Sequence, residues 1–371
     1  MREWADTAAS FRPRVTYSVP VTGDPVLAYG GLSEGLTYVL PFLEQRRGLP
    51  SRRYEHHTSW AELTRGSAAP GADILAVGYP GPRVPVVPPS HALLLPFRVS
   101  LTVEVGSDPA EVLRRVSRKA RQQHNRELRS RARSLEVTAE DADFDGFYDN
   151  MHQPTMDRRH GEAARSEPRE SARACILRRG RLFFLCESGR RVAGMLCRLE
   201  GRTLTVRLAG VDGGDENAYQ SGTYMALFIM ILQWAAEHRF TRVDLSGGEP
   251  FLSKGTFQFK RKMHPEVTLP ANHFRDKRLL LRVCRDNDAV RDFLVANPVL
   301  AFTENGDLEA VYFHDVDRSP RLDLRWRSPG VERYRLVDLD GFLAGLPAGP
   351  VTPPSRWKTV IQTNDFHEGG P

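Results

Sequence analysis

Lysine is the scarce cation in this sequence. Of 52 basic side chains 46 are arginine, and three of the six lysines, Lys254, Lys260 and Lys262, fall between positions 254 and 262. A lysine ammonium is a compact point charge on a flexible stem, suited to a developing oxyanion or a terminal phosphate, whereas arginine's planar fork needs different geometry. Lys260, in F-Q-F-K-R-K-M, is therefore a candidate catalytic group, although the same run also reads as a solvated basic face. Upstream, D-L-S-G-G (Asp244 to Gly248) closes an apolar strand. A polar group at the C-terminal end of a strand commonly faces a binding cleft. Equally, Asp244 could cap a turn whose glycines allow positive φ. Gln220, Ser221, Gly222 and Thr223 open a long apolar helix. The first N–H groups of such a helix can hold an anion, or Ser221 can simply cap them.

Other chemistries lack their residues. His56 and His57 are adjacent, His152 and His160 are eight apart, and no H-E-x-x-H occurs, so no metal site is expected. There is no G-x-S-x-G elbow. Cys175, Cys186, Cys197 and Cys284 contain no C-x-x-C pair, which fits a reducing cytoplasm and excludes a disulfide framework. The longest apolar run, Met225 to Leu232, is too short to span a membrane, and MREWADTAAS has no apolar core of a secretory signal.

These residues need a scaffold, and 371 residues predict two or three domains. VTYSVPV and ADILAVGY read as strands. SEGLTYVLPFLEQRRG reads as a helix that Pro41 should kink or shorten, and LLLPFRVSLTVEV as one or two strands. Asp108, Pro109 and Glu111 signal a helix start. Ala110, Leu113, Val116, Ala120, Leu128, Ala132 and Leu135 then make one stripe on a helix from about 109 to 135. Its other faces carry nine cations, among them Arg114, Arg118, Arg121 and Arg129. The net charge is +6 and the pI about 9.2, so this helix is the candidate for a polyanion such as RNA, or else a solvated face. RLFFLCE, VAGMLCRLE and TLTVRLAG form an antiparallel meander with short glycine turns. A buried helix from about Ser221 to His238 and the strand TRVDLS follow. KRLLLRVCR and LEAVYFHDV read as strands, DNDAVRDFLVAN as a helix, and the chain after Pro347 as mostly irregular.

Three antiparallel strands, a buried helix and a strand are the core order of GNAT acyltransferases. FDGFYDNMHQPTMDRRHGE before the meander, then QSGTYMALFIMILQWAAEHRFTRVDLSGG and GTFQFKRKM after it, resemble the GNAT-like domains of Fem-type aminoacyl-tRNA transferases and their CelD-type relatives over about Asp143 to Glu266. The resemblance implies an α+β (α/β) chain of two GNAT-like lobes, the N-terminal one degenerate, each a mixed, largely antiparallel sheet flanked by helices. It divides the chain into 1–135, ending in the basic helix, 136–270 as the acyltransferase lobe, and 271–371 completing the fold.

It also implies an acyltransferase that moves an aminoacyl group from aminoacyl-tRNA to an amine of a small molecule or peptide, in the cytoplasm, with no tightly bound cofactor or metal. Lys260 matches the lysine of the Fem-type F-K motif and would be catalytic, although Met263-His264 replaces the aromatic and glycine that usually follow. Asp244, Gly247, Gly248, Phe259 and Tyr224 would meet the substrate. Gln220, Ser221, Gly222 and Thr223 would meet the donor, and Arg114, Arg118, Arg121 and Arg129 the tRNA phosphates. CoA-dependent relatives read Q/R-x-x-G-x-G/A at the donor loop. Here only Gly222 is present, and the bulk of Thr223, Tyr224 and Met225 obstructs an approaching diphosphate. The alternatives are an acetyl- or acyl-CoA-dependent N-acetyltransferase, and an inactive scaffold that binds RNA or a protein.

Overall fold

The computed structural model describes residues 12–85, 90–160, 166–215, 217–348 and 358–362. The N-terminal eleven residues, part of the proline-rich stretch and most of the tail after Ala348 lie outside them. The chain opens with β1 (Arg14–Pro20) and β2 (Leu27–Gly31). The expected helix around Pro41 is split into α1 (Glu34–Tyr38) and α2 (Leu40–Arg47), with the proline in the first turn of the second. Next come β3 (Ser51–His57), α3 (Trp60–Arg65), β4 (Ile74–Tyr79), β5 (Ala92–Pro96) and β6 (Ser100–Glu104). Helices α4 (Pro109–Arg115) and α5 (Arg118–Ser130) lead into β7 (Arg133–Thr138). Helix α6 (Asp141–Phe147) passes through one π-helical stretch, Tyr148–His152, into α7 (Gln153–His160). After α8 (Arg169–Cys175) come β8 (Gly180–Glu187), β9 (Arg190–Glu200) and β10 (Thr203–Val211).

Helices α9 (Asn217–Gln220) and α10 (Thr223–Glu237), strand β11 (Arg242–Asp244), α11 (Gly255–Lys260) and β12 (Glu266–Thr268) continue the chain. It ends with β13 (Arg278–Val283), α12 (Asp288–Ala296), β14 (Val299–Phe302), β15 (Leu308–His314), β16 (Val331–Asp338), α13 (Leu339–Leu343) and β17 (Lys358–Gln362). The last of these, in the tail expected to be mostly irregular, pairs with β3.

The helix expected from 109 to 135 is corrected to two. Val116 and Ser117 turn to extended ψ values of 139° and 140°, and the Ser117 N–H donates to the Lys262 carbonyl at 2.7 Å. Helix α5 stops at Ser130, and left-handed Ala132 (φ 45°) turns the chain into β7. The inward face is also different. Val112, Val116, Ala120, His124 and Glu127 are buried, while Leu113 and Leu128 are half-buried. His124 fills a gap in the apolar stripe, and the buried Glu127 beside it serves an ion-pair network described below.

The chain divides into two compact units, one of 1–99, 248–258 and 269–371, the other of 100–247 and 259–268. The first holds a seven-stranded sheet, order β17-β3-β1-β2-β4-β13-β5, and a three-stranded sheet, β14-β15-β16. The second holds a seven-stranded sheet, order β12-β6-β11-β10-β9-β8-β7. The two large sheets repeat one pattern of orientations. Each has a parallel pair (β2 with β4, β10 with β11), flanked on one side by three further antiparallel strands and on the other by two. The connections differ: β8, β9 and β10 follow one another, whereas β3 returns to pair beside β1. This is a mixed α/β fold with two large mixed sheets of the same strand orientations.

In the second unit the meander is set by its turns. Ser188 and Gly189 are both left-handed (φ 49° and 81°), the two-residue geometry that matches strand twist. Helix α10, apolar on nearly every face, buries Met225 through Ile229, Ile231 and Leu232 against α4, β8 and β9. The helical segment after β7 lies so close to β10 that a Cβ on Gly210 would stand 2.4–2.6 Å from the Met151 and His152 backbone. Gly146, exposed on α6, has nothing within 4 Å of its Cβ position. Gly210→Ala should therefore destabilise the protein by about 1–3 kcal/mol, as overpacking does. Gly146→Ala should leave stability unchanged or raise it by up to about 1 kcal/mol. Urea unfolding midpoints of the two variants check both signs.

Candidate active site

Strand β11 runs parallel to β10 for only three residue pairs, Thr203–Arg242 to Thr205–Asp244. Beyond them β10 carries a bulge between Val206 and Leu208. The chain leaving β11 is tied down by Ser246. Its N–H donates to Asp244 Oδ1 at 2.8 Å, its hydroxyl donates to the Val206 carbonyl at 2.6 Å, and its own carbonyl accepts from Lys260 Nζ at 3.2 Å. Ser246 holds φ at 63°, a left-handed conformation that is uncommon outside glycine. Of the two readings of this run, the turn would let the following glycines take positive φ, but neither Gly247 nor Gly248 adopts it. The serine is tolerated there because three hydrogen bonds fix it, an arrangement that recurs at functional sites.

Asp244, Ser246 and Lys260 thus form one cluster at the end of β11. Burial pushes the Asp244 carboxyl above its usual value; the Ser246 N–H and the Lys260 charge oppose this, with Glu200 raising it further and Arg207 lowering it. Tyr224 and Phe259 are brought together as well. With Phe228 they make a triangle of rings whose centroids lie 5.2–5.6 Å apart, and Lys262 Nζ stands 6.0 Å from the Phe259 centroid. Gly248 belongs to the other unit, where it exchanges backbone hydrogen bonds with Val99.

The N-terminus of α10 is covered. Its N-cap is Gly222 at φ 76°, so Ser221 does not cap it; the Ser221 hydroxyl donates instead to the Ala218 carbonyl at 3.2 Å. Gln123 of α5 lies over this glycine, 2.4 Å from where a Cβ would stand, and donates to the Ser221 carbonyl and to Glu127. The fully buried Arg133 side chain donates to Glu127 and Glu187, each at 2.7 Å, and to Thr223 Oγ1 at 3.2 Å. An incoming diphosphate would have to displace Gln123 and would meet the buried Glu127 carboxylate. The Gln220 side chain lies outside the described residues.

The rest of β10 takes partners from the helical segment after β7. His152 Nδ1 donates to the Ala209 carbonyl at 2.9 Å, and the Val211 N–H donates to Thr155 Oγ1 at 3.0 Å. Sequence reasoning missed this segment's part, because the π-helical register that turns His152 and Thr155 toward β10 has no periodicity signal of its own. It also missed the buried ions Glu127, Arg133 and Glu187. Of the arginines assigned to tRNA, Arg114, Arg118 and Arg129 are exposed and Arg121 is half-buried. Arg114 pairs with Asp108, and Arg121 donates to the Arg114 carbonyl. Among the described residues no cluster of three metal-ligating side chains occurs, and no helix is long and apolar enough to cross a membrane.

Residues 110–261 match the model of an acetyltransferase (GNAT) domain. No curated protein sequence matches the chain. Among solved structures, L-PGS from Bacillus licheniformis is similar at 11% identity, covering 78% of this chain and 86% of its own, with a TM-score of 0.35. FemX is similar at 10% identity over 72% and 83%, TM-score 0.40. A GCN5-related N-acetyltransferase-like protein from Streptococcus suis is similar at 9% over 73% and 83%, TM-score 0.30. These scores are too low for any of the three to bear on the chemistry. The domain match falls on the meander, the buried helix and the strand that end in the Asp244–Lys260 cluster, so it is residues 110–261 of the chain that are similar to a GNAT acetyltransferase domain.

Proposed function

We propose that the chain transfers an aminoacyl group from aminoacyl-tRNA to an amine of a small molecule or peptide. The observation that carries this reading is the covered N-terminus of α10, which favours a donor without a CoA diphosphate. In the reaction the amine nitrogen attacks the ester carbonyl carbon. The new C–N bond forms as the C–O bond to the ribose breaks, and the proton released by the amine leaves with the tRNA hydroxyl. Lys260 would stabilise the oxyanion, already fixed by the Ser246 carbonyl near the end of β11. Asp244 would hold the amine, with Tyr224 and Phe259 forming an apolar wall beside it. The exposed arginines of α4 and α5 would follow tRNA phosphates. The matched model describes an acetyltransferase, so CoA-dependent N-acetylation is the second reading. A mass-spectrometric comparison of the products made with charged tRNA and with acetyl-CoA, each offered to candidate amines, separates the two.

Three outcomes are expected. Calorimetry should show no micromolar binding of acetyl-CoA; such binding would select the second reading. Lys260→Met should change stability by less than about 1 kcal/mol and lower kcat/KM by about 10²-fold or more. Lys260→Arg should restore it only in part, and Lys262→Met should be milder. Near-native turnover in both methionine variants would remove Lys260 from the site. Finally, tRNA affinity should fall steeply with salt, each phosphate contact adding about 0.7–0.9 to the log–log slope. Replacing Arg114, Arg118, Arg121 and Arg129 by glutamine should flatten that slope, and an unchanged slope in a folded variant would make this a solvated face.

A further inference from the structure

His152 does more than satisfy β10. Its Nδ1 faces the Ala209 carbonyl, which can only accept, so that nitrogen carries the proton and Nε2 carries the lone pair. The Ser166 hydroxyl lies 2.5 Å from Nε2. The imidazole is almost wholly buried, between the rings of Phe147 at 5.9 Å and Tyr148 at 5.4 Å. Burial holds its pKa below the usual value, with the Ala209 hydrogen bond opposing, so the neutral, proton-accepting form prevails at pH 7. Ser166 by contrast is exposed.

Its segment is pinned. Tyr148 OH donates to the Glu167 carbonyl at 2.9 Å, and the Glu167 carboxylate accepts from Ser171 at 2.7 Å and Arg207 at 3.1 Å. The Glu167 carbonyl is a second acceptor for the Ser166 hydroxyl at 3.2 Å, but the shorter contact is to the imidazole. An exposed hydroxyl, a neutral base behind it and a carbonyl that orients the base are the parts of an activated nucleophile.

We propose that Ser166 is a nucleophile activated by His152, able to accept an acyl group from an activated ester and so carry an O-acyl-serine. The hydroxyl oxygen attacks the ester carbonyl carbon while its proton passes to His152 Nε2. The C–O bond to the leaving alcohol then breaks, and the proton moves from Nε2 to the departing alkoxide. This reactivity is separate from the Lys260 cluster and stands whichever donor the chain uses.

The test uses the full chain and needs no natural substrate. Incubation with p-nitrophenyl acetate should add one acetyl group, mapped by peptide mass spectrometry to Ser166 and absent in Ser166→Ala. In Ser166→Cys the new thiol, beside the same base, should react with iodoacetamide at pH 7 about tenfold or more faster than Cys175, an exposed free cysteine of the same molecule. No acetylation at Ser166, or an alkylation rate equal to that of Cys175, overturns the proposal.

Discussion

Strand β10 keeps its parallel neighbour for only three residue pairs, and a strand that loses a neighbour must find other partners for its backbone groups. Much of the second unit's architecture answers that constraint. Ser246 takes the Val206 carbonyl, His152 the Ala209 carbonyl and Thr155 the Val211 N–H. For the last two to reach, the helical segment after β7 must lie against the strand, and this requires a glycine at 210. It also requires the helix to present His152 and Thr155 on one side, which the π-helical stretch Tyr148–His152 accomplishes. The price of opening the sheet is thus met by side chains, and those side chains carry the polar chemistry of the unit. Ser246, held left-handed by the same constraint, is what joins Asp244 to Lys260.

The N-terminus of α10 obeys a different logic. Its first N–H groups and dipole favour negative charge. Here the negative charge is built in: Glu127 and Glu187 stand nearby, bridged by a buried Arg133 that also reaches Thr223. Buried ions of this kind are tolerated because each is paired and hydrogen-bonded; removing one partner typically costs about 3–5 kcal/mol. The end of α5 belongs to the same arrangement. A continuous helix would carry residues 123–133 along one axis. Within α5 Gln123 and Glu127 share a face, four residues apart, and the return at Ala132 brings Arg133 back to them.

The meander, the buried helix and the strand ending at Asp244 were legible in the sequence, because alternation, glycine turns and an all-apolar helix are local signals. What was illegible was non-local. Arg133 reads as one more surface cation until Glu187, 54 residues away, is placed against it. The stripe that included Leu113 and Leu128 followed helical spacing correctly for a helix that does not continue. His152 has no metal-ligand spacing to mark it, and its hydroxyl partner lies 14 residues on. Residue type would allow left-handed backbone at the glycines after Asp244, whereas hydrogen bonding places it on Ser246.

Lysine scarcity, taken alone, is a weaker guide than it first looks. Lys254 pairs with buried Glu249, and buried Lys277 pairs with Glu34 and lies 5.3 Å from the Phe274 centroid. Both are structural partners of carboxylates in the first unit, so a rare lysine here is not a site marker in itself. The division of labour between the two cations is clearer from geometry. Arg133 uses its fork to reach two carboxylates and a hydroxyl at once, which an ammonium cannot do as well. Lys260 donates to the Ser246 carbonyl, a neutral acceptor, beside an Asp244 carboxyl that burial pushes toward its protonated form. That place beside Asp244 and Ser246 at the end of β11, and not the residue count, is what sets Lys260 apart from Lys254 and Lys277.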